Sequence, residues 1–307
     1  RKLKPTTISK EATEPKKRYH FSNLEPPGEL AFNTPSIFQK KILLDLDIPF
    51  SWLARAKDHK KTSLGDALYY MHLHKCGGST FKRMAIKNKL KVYEFYPDTN
   101  RTLLSQFHDP HLATQTRYDL ISNEDYLPDQ MPWNAYKGFI LSFRKPIERA
   151  YSHYRHVVRL GVNVKSKNFV EWFYHRPDNF YVRHLCGYQC EHLARGKLNE
   201  THFKRALENL YRFDVVIDIH HGFDAFYHLV ASLYGWKKEK KVANIRTNTG
   251  GSLETFPWDN HPEIEERWKQ VNYLDELFYE HMLFRAHALL EEFEIDSNNI
   301  PQICINS

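Results

Sequence analysis

This sequence predicts an α/β fold, with a central parallel sheet and helices on both faces, and three observations carry the prediction. Short apolar runs of strand length occur at residues 67–73, 137–143 and 213–219. Each run is followed by a stretch in which apolar residues recur at helical spacing. Gly or Pro punctuates the junctions. Strands alternating with helices need crossover connections, and these build parallel sheets covered on both sides. With 307 residues, 41% hydrophobic and 14% aromatic, the chain can fill one large domain of this kind. Only 12 Gly, 15 Pro and 4 Cys exclude collagen-like, mainly disordered and disulfide-scaffolded classes.

In chain order, residues 1–30 read as a flexible arm or stem. RKLKPTTISKEATEPKK is charged and almost free of apolar residues, and Pro26, Pro27 and Gly28 close the segment. Residues 31–64 carry apolar pieces at Ile37, Phe38, Ile42, Leu43 and Leu44, which predict an extension packed on the core. A domain then spans 65–296, and a tail covers 297–307. The domain opens on the strand ALYYMHL, broken by HKCGGS. Residues 80–90 then predict a helix with Phe81, Met84 and Ala85 on one side and Lys82, Arg83 and Lys87 on the other. The strand KGFILSF ends at Arg144, and Pro146 suits the first turn of a helix over 147–160 that Gly161 ends. The third strand feeds a helix over 223–234, stopped at Gly235. Ile264, Trp268, Val271, Leu274, Phe278 and Met282 predict one long helix over 262–293, capped by Asn260.

Lys and Arg exceed Asp and Glu by 44 to 37, a net charge of +7. That excess does not announce a nucleic-acid partner, but it suits an anionic ligand wherever it is concentrated. Four cysteines, Cys76, Cys186, Cys190 and Cys304, permit one disulfide or two. Two glycosylation sequons, at Asn100 and Asn199, tilt toward a secretory compartment. No apolar run approaches the roughly 20 residues of a membrane-spanning helix. The first residue is Arg1 rather than Met, which leaves room for a leader or anchor ahead of it.

The segment LHKCGGSTF, at the end of the first strand, carries the most chemistry. Helix N-termini offer N–H groups and positive dipole density to an anion. Gly77 and Gly78 let backbone approach a phosphate, Ser79 and Thr80 add hydroxyls, and Lys75 adds a charge. The spacing is not that of a Walker A loop, because Lys precedes the glycines. The plain alternative is a Gly-Gly turn between strand and helix. A second site lies in FILSFRKPIERAYSHYRHVVRLG. Arg144 stands at a strand's carboxyl end, where open α/β sheets bind ligands, and Ser152 follows two helical turns on. Here the plain alternative is a solvated basic helix. Two strand-end anion sites in one sheet suggest a nucleotide with phosphates at both ends.

These two segments resemble the cofactor-binding elements of the PAPS-dependent sulfotransferases, PAPS being 3′-phosphoadenosine 5′-phosphosulfate. The chain is most similar to the Golgi heparan sulfate O-sulfotransferases, the 6-O type and then the 2-O type. The likeness extends more weakly through NFYVR (179–183), residues 213–236, NTGG (248–251) and the terminal helix. It implies a P-loop-like three-layer sandwich that moves a sulfuryl group from PAPS to a hydroxyl of a glycosaminoglycan-like polysaccharide. PAP, 3′-phosphoadenosine 5′-phosphate, is then the product, and no metal is required. Lys75, Cys76, Gly77, Gly78, Ser79, Thr80 and Phe81 would hold the 5′-phosphosulfate, with N–H groups of residues 77–81 and Lys75 stabilising the leaving oxygen. Arg144 and Ser152 would hold the 3′-phosphate. The general base is expected in QFHDPH, at His108 with His111 as the alternative. His111, Arg155, His156 and Arg159 would meet an anionic polysaccharide, and His153 and His156 are expected to face that acceptor or solvent. The implied location is the Golgi lumen, as a type II membrane protein anchored ahead of this chain. Two departures stand out: Cys76 where the family has Thr, and Lys145 where it has Asp.

Other features have plainer readings. VVID (215–218) superficially resembles a Walker B strand, which keeps open a P-loop kinase or NTPase using Asp218. An inactive carbohydrate-binding relative is a further alternative. His184, Cys186, Cys190 and His192 lie too close together for a convincing zinc site, and a disulfide within the cysteine pair or to Cys304 is as good a reading. The run 237–241 is most simply a solvated turn.

Overall fold

The computed structural model describes residues 65–95, 109, 117–161, 168–219, 223–237 and 256–292. The arm at 1–30, the extension at 31–64, the tail at 297–307, His108, His111, Asn100, the NTGG segment and Cys304 lie outside the described residues.

Five parallel strands form one sheet: β1 (Leu68–Met71), β2 (Val92–Phe95), β3 (Leu120–Asn123), β4 (Gly138–Phe143) and β5 (Val215–Asp218), in spatial order β2-β3-β1-β4-β5. The expected α/β architecture is present. β1, β3, β4 and β5 are buried along their whole length, as sheets covered on both faces require. Helices α1 (Gly78–Lys87), α2 (Pro146–Arg159), α3 (Phe169–Tyr174), α4 (Phe180–Cys186), α5 (Tyr188–Glu191), α6 (Glu200–Leu210), α7 (Phe223–Tyr234), α8 (Pro257–Asn260), α9 (Pro262–Val271) and α10 (Tyr273–Glu292) surround it. Pro146 occupies the first turn of α2, where its missing N–H leaves no gap.

Two expectations need correction. The long terminal helix is two helices, broken at Asn272, and Asn260 ends α8 instead of capping α9. Asn272 leaves the helical path because its Oδ1 accepts the Asn179 N–H at 2.9 Å, and its carbonyl accepts from Asp275 and Glu276 to start α10. The cysteine alternatives resolve into a Cys186–Cys190 disulfide. Its neighbours do not suggest zinc, because His184 is buried against Tyr126 and Phe180 while His192 is largely exposed.

The main core lies between the sheet and its helices. A second, aromatic core joins α2, α3, α8 and α9 through Ile147, Phe169, Trp172, Trp258 and Trp268. Lys145 reaches from the head of α2 to Glu265 on α9 at 2.9 Å, so the residue at this departure ties that second core to the turn after β4.

Candidate anion site at the strand tips

The topology sets the two candidate anion loops side by side. β1 and β4 are parallel neighbours, with Tyr70 opposite Ile140 and Met71 opposite Leu141. The turns after Met71 and Phe143 therefore leave the same edge of the sheet. The chain runs from β1 toward β2 and β3, but from β4 toward β5. The gap between β1 and β4 is thus where strand order reverses, the place where open α/β sheets bind ligands.

The first loop is tightly wound. The Cys76 N–H bonds the Leu73 carbonyl at 3.1 Å, while Lys75 takes φ 68° and Gly77 φ 80°. Gly77 enters this left-handed region freely, but Lys75 does so at a cost of about 1–2 kcal/mol. Gly77 is the N-cap of α1 without a side chain, and its carbonyl accepts the Thr80 and Phe81 N–H groups at 3.0 and 3.2 Å. Helix geometry leaves the N–H groups of Gly78 and Ser79 without an intrahelical acceptor. Gly78 has a further reason to be glycine: a Cβ there would overlap the His72 ring.

Cys76 and Phe81 both have partners within the protein. Cys76 is fully buried; its N–H is taken by Leu73, its carbonyl accepts Ser142 Oγ at 2.7 Å, and its thiol lies 3.4 Å from Tyr181 Oη. Burial pushes that thiol up to about 11, so it stays neutral. Phe81 packs its ring on Tyr70 and Trp236, and its N–H turns back to Gly77. Thr80 is likewise bonded to Gly77 through its N–H and half-buried, while Ser79 is exposed.

In the second turn the Arg144 guanidinium meets Glu148 with Nε and Nη2, each 3.1 Å from Oε2. Ser152 is half-buried further along α2. Arg149, one turn beyond Arg144, is buried with its guanidinium 3.7 Å over the Phe180 ring. The Lys75 ammonium is lowered from its ordinary value, first by burial and then by the Arg159 and Arg144 charges, with Glu124 opposing. Cations from both turns and from α2 therefore act on one region.

The histidines of α2 both approach His74 in the first loop. His153 lies edge-on to His74 at 4.5 Å and to Trp172 at 5.3 Å, so it faces the loop and the aromatic core. Burial, reinforced by the Arg149 charge, keeps it neutral. His156 also approaches His74, at 5.9 Å, and its Nδ1 lies 3.0 Å from Arg159. Arg155 and Arg159 are exposed.

Sequence reasoning passes over Glu124, at the tip of β3. Its carboxylate sits 2.8 Å from His72 and 3.9 Å from His74. Burial opposes its charge, but the two imidazoles hold the carboxyl well below the usual range. Among the described residues, His72, Glu94 and Glu124 bring ligand atoms within 4.8 Å of one another. Lys82 already pairs with Glu94, and His72 with Glu124, so these charges are met internally. Tyr181 stands in the sequence only as part of a weak likeness, yet its hydroxyl touches both anion loops.

Comparison of the chain with protein-family models, curated proteins and solved structures returns no match. Among the described residues, no helix is long and apolar enough to cross a membrane.

Proposed function

We propose that this chain is a PAPS-dependent carbohydrate O-sulfotransferase built on a P-loop-like sandwich, acting on a glycosaminoglycan-like acceptor in the Golgi lumen. One observation carries the reading: the Lys75 loop and the Arg144 turn leave adjacent parallel strands at the point where strand order reverses. Such a pair of anion sites suits one nucleotide phosphorylated at both ends.

Sulfuryl transfer moves SO₃ in line from a phosphate oxygen to a hydroxyl, so the protein's task is positioning and charge neutralisation. The Gly78 and Ser79 N–H groups and Lys75 would stabilise charge growing on the bridging oxygen. Arg144 and Ser152 would hold the 3′-phosphate, which requires Arg144 to share its fork with Glu148. A base must take the acceptor proton, a role assigned by resemblance to His108 or His111. Arg155, His156 and Arg159 line the α2 side, where an anionic chain would approach.

The test is calorimetry with PAP and with ATP plus magnesium, followed by transfer of labelled sulfate to desulfated glycans. Binding of PAP with micromolar affinity, and label appearing on a glycan, is the expected result. Binding of ATP with magnesium but not PAP would overturn the proposal and favour phosphoryl chemistry. Binding of PAP without transfer to any glycan would leave an inactive relative.

A further inference from the structure

We infer that Tyr181 is a positioning residue that fixes the spacing of the two anion loops, making them one chelating site for a doubly phosphorylated nucleotide. The inference rests on the sulfotransferase proposal and adds to it a residue that contacts no phosphate. Tyr181 is fully buried. Its hydroxyl donates to the Arg144 carbonyl at 2.5 Å and accepts the Arg144 N–H at 3.2 Å. The remaining lone-pair direction is open to the Cys76 thiol at 3.4 Å. One oxygen therefore holds the second turn by its backbone and the first loop at the residue between Lys75 and Gly77.

The phenol is itself held from behind. Asp275 on α10 accepts the Tyr181 N–H at 3.1 Å and the Val182 N–H at 3.0 Å, one on each carboxylate oxygen. Asn179 Oδ1 accepts the Asp275 N–H at 3.1 Å, closing the joint from the other side. A second tie runs through the sheet, where Ser142 Oγ meets both the Cys76 carbonyl and Tyr70 Oη, at 2.7 and 2.6 Å. The Ser142 bond joins the first loop to β4 itself, whereas Tyr181 joins that loop to the turn beyond β4. Among the described residues no ladder bond does this, because Arg144 lies past the end of β4 and Cys76 past the end of β1.

The consequence is a difference between ligands. When one ligand spans two sites, the second contact gains from the fixed distance between them, and that gain falls if the distance fluctuates. A nucleotide with one phosphate has no such gain to lose. Tyr181→Phe keeps the ring and removes only the oxygen, so it loosens the spacing and leaves both pockets' own groups in place.

The experiment is calorimetry on the full chain, wild type and Tyr181→Phe, with PAP, adenosine 5′-monophosphate and adenosine 3′-monophosphate. Thermal melting runs in parallel to establish that each variant folds. The expected result is a loss of tenfold or more for PAP, against twofold or less for either monophosphate. Equal losses for all three ligands would mean that the hydroxyl merely supports the fold, and would overturn the inference. No loss for PAP would overturn it as well. If wild type prefers none of these nucleotides, the functional reading fails and this inference with it. Wild-type preference for PAP combined with an unaltered variant sinks this inference alone. Should Tyr181→Phe not fold, Asp275→Asn removes one of the two anchors behind the ring, and the same selective loss, of smaller size, is expected. An unselective loss there counts against the inference in the same way.

Discussion

At Lys75 two demands on one residue conflict. Its backbone sits at φ 68°, a region that a residue with a Cβ enters at a cost of about 1–2 kcal/mol, while the proposed nucleotide site would use its ammonium. Comparing two substitutions separates the demands. Lys75→Gly relieves the backbone and removes the charge; Lys75→Ala removes the charge and keeps the strain. We expect Lys75→Gly to be the more stable in urea by about 1 kcal/mol. Both should weaken PAP by the same factor, on the order of tenfold, read by calorimetry. Equal stability of the two variants would show that the turn tolerates a Cβ, and unequal affinity would show that backbone freedom itself affects binding.

Elements that position the site depend on caps as much as on packing. Helix α6 packs closely on α4, which carries Tyr181, and α6 begins at a reciprocal cap. Asn199 Oδ1 accepts the Thr201 and His202 N–H groups at 3.0 and 3.3 Å, and His202 Nδ1 accepts the Asn199 N–H at 3.1 Å. Asn199→Ala should lower stability by about 1 kcal/mol, with Asn199→Asp retaining most of it, read as urea midpoints. A drop as large for Asp as for Ala would show that the side-chain oxygen is not what caps the helix. The same scale shows what the sequence makes legible. LYYM and GFILSF announce buried strands because every residue is compatible with a covered sheet. VYEF and LISN do not, because Glu94 in one and Ser122 with Asn123 in the other break the apolar run. With β2 and β3 unseen, Glu124 could not be placed at a strand tip. Asn272 sits inside an unbroken helical pattern, and only its bond to Asn179, remote in the chain, reveals the break. Lys75 and Arg144 are readable because each closely follows a visible strand. The Tyr181 link is not, since it needs the strand order that makes β1 and β4 neighbours.

Across the whole molecule, buried imidazoles couple the fold to pH. His184 stacks on Tyr126 with Nδ1 2.8 Å from the Phe180 carbonyl, and burial lowers it to about 3. His281 on α10 lies against Phe203 and Tyr211, and burial lowers it to about 4. His153 behaves alike in the aromatic core. In the unfolded chain each titrates near 6.5, so below that pH the unfolded state binds protons that the folded state refuses. Their stabilising contribution is complete above about pH 6.5 and is lost as pH falls toward the folded values. Asp275 works in the opposite sense. Burial raises it to about 7 despite its two backbone donors, so the folded state gains relative stability as pH falls from about 7 toward 4. Each group contributes at most about 1.4 kcal/mol per pH unit in its window, and the three histidines outnumber the two carboxyls that burial raises, Asp275 and Glu276. The expected net loss is roughly 1–3 kcal/mol per pH unit between about pH 6 and pH 4, measured as urea midpoints at fixed ionic strength. His281→Phe should make that dependence shallower, and Asp275→Asn should make it steeper. The opposite response of these two substitutions distinguishes buried imidazoles from a general acid effect, since ordinary carboxylates titrate mainly below about pH 4.5. A midpoint that stays level from pH 7 to pH 5 would mean that the imidazoles take up protons without unfolding the core.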